Sequence, residues 1–114
     1  MEIITSNKAV AHKNSEDCLA YEYEFRGEKD INGAVIKLAG RYPESGKALN
    51  DICKELSYIV EGSGTLTQGG KIYTLSEGDM ILIQPGEAYF FEGTLTMLIS
   101  SSPAWYPGQH HNIQ

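Results

Sequence analysis

Between residues 58 and 91, four short apolar runs alternate with turn-forming residues at nearly even spacing. Ile59-Val60 and residues 64–67, 71–75 and 80–83 mix β-branched, aromatic and aliphatic side chains. Glu61-Gly62 and residues 68–70, 77–79 and 84–86 interrupt them. Each interruption has a physical cause: glycine reaches positive φ without a Cβ clash, and proline presets φ while removing a ladder donor. The pattern predicts consecutive antiparallel strands closed into a small barrel or two-sheet roll, with no substantial helix.

The flanks continue the pattern. Residues 18–26 alternate, with Leu19, Tyr21, Tyr23 and Phe25 on one face and Ala20, Glu22, Glu24 and Arg26 on the other. That is the period of a half-buried strand, and the aromatic face is expected to pack into the core. A turn at 27–30 leads to a strand over 31–39, and residues 86–91 and 94–100 read as two more strands joined by a turn at Glu92-Gly93. Residues 2–13 predict an edge strand ending near His12, which is expected to be solvated or hydrogen-bonded rather than a ligand. In the tail, Pro103 and Pro107 resist regular structure. Trp105 and Tyr106 are too large and apolar to leave in water cheaply, so they should pin the tail to the barrel, with His110-His111 as a solvated end.

Glu55, six intervening residues, Gly62, the pair Gly69-Gly70, then Gly78-Asp79 and Pro85-Gly86 together resemble the two motifs of the cupin superfamily. The resemblance implies an all-β, cupin-type double-stranded β-helix, a jelly-roll barrel. It also implies a metal site built from histidines and a glutamate. Here Leu49, Asp51 and Tyr89 occupy the positions read as the histidines, and Glu55 alone stands as the motif expects. The resemblance thus points to a small cupin that lacks the usual metal-binding histidines.

The motif directs Glu55 into the barrel, where a carboxylate is costly unless it is paired or protonated. It becomes the leading functional candidate, with hydrogen bonding to backbone or Tyr89 as the structural alternative. Tyr89 is placed to donate to a bound oxygen or to fill the cavity, and Tyr42, Asn50 and Asp51 are expected near its mouth. A metal would have to use Asp51, Glu55 and Tyr89, with Cys53 as a further donor, a set poor in imidazole and thiolate; no metal or other cofactor is expected. Cys53 has no histidine nearby in sequence and reads as a packing residue rather than a nucleophile.

Three functions follow from this. The first is binding of a small polar molecule, sugar-like or carboxylate, in the barrel without a metal. The second is a metal-dependent cupin enzyme of the isomerase, lyase or dioxygenase kind using Glu55 as acid, base or ligand. The third is a non-catalytic accessory protein whose barrel is filled by its own side chains. Fold alone does not choose among them.

Composition narrows the field further. The chain of 114 residues suits a single domain spanning residues 1–114. A net charge of −6 with nine scattered Lys and Arg opposes nucleic-acid binding. No apolar run approaches the roughly 20 residues of a membrane span, and the N-terminus lacks a charged start with an apolar core, so a cytoplasmic location is expected. Cys18 and Cys53 are expected to be reduced thiols. Unpaired sheet edges and the apolar Ile3-Ile4 and 9–11 segments predict a homodimer.

Overall fold

The computed structural model describes residues 1–114, with nine strands in one curled antiparallel sheet. They are β1 (Val10–Ser15), β2 (Cys18–Tyr23), β3 (Asn32–Tyr42), β4 (Lys47–Asn50), β5 (Lys54–Gln68), β6 (Lys71–Ser76), β7 (Met80–Ile83), β8 (Tyr89–Ser102) and β9 (His110–Ile113). The only helical turns are 3-10 segments at Ser6–Lys8 and Pro107–Gln109, so the all-β expectation holds.

The long strand β8 is the spine. It pairs with β3 on one side and along nearly its whole length with β5 on the other. From these, β2 and β1 extend the sheet beyond β3, while β7 and β6 add in turn to the far edge of β5. β4 bridges to β8 at Ala48 and Tyr89, and β9 pairs with β4. β1 pairs with β2 alone and is the edge strand expected from the sequence.

The core lies inside the curl and includes Leu38, Ile59, Leu66, Leu75, Phe91, Leu95 and Met97. Each such side chain contributes about 1.5–3 kcal/mol relative to leaving it exposed. Along β5, the odd-numbered Glu55, Ser57 and Ile59 face inward, whereas Leu66 is the buried residue further on. A bulge at Val60 makes the switch: two consecutive residues, Val60 and Glu61, face solvent, and the register with β8 shifts between Ile59 and Glu61.

Three expectations are corrected. Glu61-Gly62 and Glu92-Gly93 are not turns but lie inside β5 and β8. Their glycines serve close approach instead. Gly64, Gly93 and Gly40 sit side by side across β5, β8 and β3, and a Cβ on Gly93, which has a φ of +133°, would strike the backbone of Gly64. Secondly, the inward face of β2 is the small-residue face: Cys18 and Ala20 are buried, while Leu19 is exposed. The concave side of a curled sheet has less room per residue, so the small side chains turn inward. Thirdly, the tail is not irregular throughout, because residues 110–113 add a ninth strand.

Candidate functional site

The inner faces of β2, β3, β5 and β8 leave a cavity of about 90 Å³, closed on one side by the tail. Its lining is mainly apolar, with Ala20, Ile36, Leu38, Phe91, Met97 and Ile99. Against that background a few polar groups converge: Tyr42, Glu55, Tyr89, Trp105 and His110.

Their hydrogen bonds form one chain, and its polarity follows from a single donor. Trp105 Nε1–H, which can only donate, bonds the Asn50 side chain at 2.9 Å, so the atom it meets is Oδ1. Asn50 Nδ2 therefore faces Glu55 and donates to its Oε1 at 2.6 Å. His110 Nδ1 lies 2.8 Å from the same Oδ1 and must carry a proton to donate there. The imidazole Nε2 is then an acceptor, and Tyr42 donates its hydroxyl to it at 2.8 Å. Tyr89 donates to Glu55 Oε1 at 3.2 Å. Glu55 thus takes both bonds on one oxygen, and Oε2 has no protein partner.

Burial sets the protonation. It raises the Glu55 carboxyl above its usual range, and the bonds from Tyr89 and Asn50 offset that only in part. Burial and the neighbouring His111 lower the His110 imidazole, in keeping with its neutral tautomer. The Tyr42 and Tyr89 phenols are pushed up by burial and by the Glu55 carboxylate, so both remain donors. Burial also pushes the Cys18 and Cys53 thiols up to about 11, which keeps both protonated and unreactive near neutral pH. The two are unbridged.

Of the residues picked from sequence, Tyr42, Asn50, Glu55 and Tyr89 come together here. Asp51 does not: it is exposed and bonds His111 at 2.6 Å on the outside. The pleat explains this. In β4 it is Ala48 and Asn50, 0% and 3% exposed, that point inward, and Asp51 follows the strand on the solvent side. His110 is likewise corrected from a solvated end to a half-buried member of the chain. Trp105 does pin the tail, exchanging two hydrogen bonds with Asn32, but it is a wall of the site as well. Glu22 was missed as a lining residue; its position two residues after the small Ala20, on the same face of β2, was the available clue.

The usual metal of such folds does not fit these side chains. Ala48 offers no donor atom, the Asn50 oxygen already accepts two N–H groups, and Tyr89 is a protonated phenol. Glu55 belongs to no cluster of three metal-ligating side chains.

A model of the cupin domain matches residues 44–97. The fold is the cupin fold, and the middle of the chain matches the cupin domain. No curated protein matches the sequence, but cupin-fold structures are plentiful among its neighbours. Pac13, described as a unique nucleoside dehydratase, is similar with a TM-score of 0.88 at 13% identity, over 100% of this chain and 92% of that one. The polyketide cyclase RemF from Streptomyces resistomycificus is similar at a TM-score of 0.77 and 15% identity, over 100% and 86%. Ectoine synthase from P. lautus gives 0.74 and 15%, over 100% and 91%. At such identities the likeness fixes the fold, and the chemistry of this chain has to be read from its own residues.

Proposed function

We propose that this cupin binds a small polar molecule in its barrel without a metal, with Glu55 and Tyr89 as the central polar contacts. The observation that carries the reading is the polarised chain from Tyr42 through His110 and Asn50 to Glu55, which ends on one unpartnered carboxyl oxygen in an apolar-lined cavity. A buried carboxyl so arranged is costly to keep unless something uses it. The ligand is small or extends outward: about 90 Å³ is below the roughly 300–1,000 Å³ of ordinary ligand pockets. A recess of about 530 Å³ adjoins the cavity and shares Asn14, Glu22, Asn32 and Trp105 with it, so one molecule can occupy both.

A second reading, acid–base catalysis on that molecule, is favoured by one detail. Because Oε1 accepts both protein bonds, a proton on Glu55 sits on Oε2, where it can be delivered to a ligand. The dehydratase and cyclase named above are enzymes on the same fold, which keeps the reading open.

A thermal-shift screen with sugars, polyols, amines and organic acids, together with metal analysis of the purified protein, tests the proposal. The expected result is a stabilising small molecule whose effect weakens in Glu55→Gln, with no stoichiometric metal. Near-stoichiometric iron, nickel, manganese or zinc would overturn the metal-free reading.

A further inference from the structure

We infer that the ligand of this cavity carries a positive charge, an organic amine whose ammonium group lies at the acidic mouth while its body enters the barrel; the inference rests on the binding function proposed above.

The charges around the space are one-sided. Glu22 and Glu55 line the cavity, and His12, Glu22, Glu24 and Glu28 line the recess outside it. No lysine or arginine lines either. A carboxylate or phosphate ligand would meet the carboxyl groups of Glu22, Glu24 and Glu28 at the mouth and no fixed cation, a repulsive arrangement.

The recess also has the other half of ammonium recognition. Phe25, Trp105 and Tyr106 form its aromatic walls, and aromatic faces attract alkylammonium groups most where water is excluded. Within the recess, ligand atoms of His12, Glu22 and Glu24 all lie within 4.8 Å of one another, and His12 Nε2 is 3.4 Å from Glu22 Oε2. Glu22 belongs to both spaces and links this cluster to the interior. There Glu55, about nine-tenths buried, still has Oε2 without a partner. The two carboxyl sites, one at the rim and one inside, suit a molecule with an ammonium at one end and a hydrogen-bonding polar group at the other.

The test uses matched skeletons on the full chain: butylamine, 1-butanol and butyrate, then benzylamine, benzyl alcohol and benzoate, followed by thermal shift and calorimetry. Calcium, manganese and zinc form a separate arm, since the His12 cluster also presents metal-ligating atoms. The amines should bind at least about tenfold tighter than the alcohols, the carboxylates weakest, and the amine preference should shrink as salt is raised. Glu24→Gln, on an exposed side chain, and Glu22→Gln should each cut amine affinity about tenfold and alcohol affinity by clearly less. Carboxylates binding as well as amines, alcohols binding equally well, or zinc or manganese binding where amines do not would each overturn the inference and leave a binding cavity standing. If no amine binds, the inference falls, and the binding function is then decided separately by the screen of sugars, polyols and organic acids.

Discussion

Glu55 carries opposite consequences for stability and for use. Its folded-state pKa is raised, so the folded chain holds a proton that the unfolded chain has released. The stabilisation associated with that proton is full below the unfolded value of about 4.3 and is lost as pH rises through the folded value. Glu55→Gln keeps an acceptor for Asn50 and Tyr89 and removes the titration. The variant should therefore match the parent in acid and exceed it at neutral pH, by on the order of 1 kcal/mol, or about 4–8 °C in Tm for a domain near this size. Thermal melts from pH 4 to 8 check it; a difference that does not grow with pH would contradict the protonation assigned here. His110 contributes the reverse slope. Its lowered pKa means that stability present above about 6.5 is lost as pH falls toward the folded value. A simpler case is Ser57, 1% exposed, whose hydroxyl has no hydrogen-bond partner between Glu55 and Ile59 on the inner face of β5. Ser57→Ala removes an unsatisfied buried group and should be neutral or stabilising by about 1 kcal/mol in denaturant unfolding. A loss of more than that would reveal a partner for the hydroxyl.

The tail is held as a strand because its backbone groups find partners there. β9 pairs with β4, and Gln109, just before it, accepts the N–H groups of Ile52 and Cys53 at 3.1 and 2.8 Å through one side-chain oxygen. That glutamine is 1% exposed and shapes the turn between β4 and β5 from which Glu55 follows. Gln109→Ala strands two donors and should cost about 2 kcal/mol or more, whereas Gln114→Ala, on an exposed end, should be close to neutral. Equal effects in urea melts would show that the tail only rests on the barrel. None of this was legible in the sequence. Short strands announce themselves, β2 by its alternation and β6 and β7 as apolar runs between turn residues, since both signals are local. The bulge at Val60 and the glycine row were not, because Gly62 and Gly93 look the same in a turn and in a close strand crossing. Asp51 was misplaced by a single step of the pleat for a related reason: the irregular residues between β4 and β5 break the count from Glu55 back to the inward positions. The long-range partners of Asn50 lie 55 to 60 residues away, beyond the reach of any local pattern.

The outside of the sheet has its own unfinished business. Cross-strand registers set Leu82 beside Leu56, Met80 beside Tyr58, Tyr58 beside Leu98 and Leu98 beside Val35, forming an apolar field across β7, β5, β8 and β3. Leu56, Tyr58, Val60, Met80, Leu82 and Leu98 are all exposed. Contiguous apolar surface of this kind marks an association face more often than a solvated one. In a chain of net charge −6, an uncharged field is also where two copies meet with least repulsion, and one patch serves both copies in a twofold pair. We therefore expect a homodimer built on this face rather than on the N-terminal segment, where the exposed large apolar side chains are fewer, Met1, Ile3 and Val10. Light scattering at tens of micromolar should give twice the 12.6 kDa chain mass. The double variant Tyr58→Lys, Leu82→Lys should return the mass of one chain with an unchanged circular dichroism spectrum, while removal of residues 1–9 should leave the pair intact. A monomeric parent protein, or a dimer that survives the two lysines and is lost with residues 1–9, would move the interface to the β1 edge or abolish it.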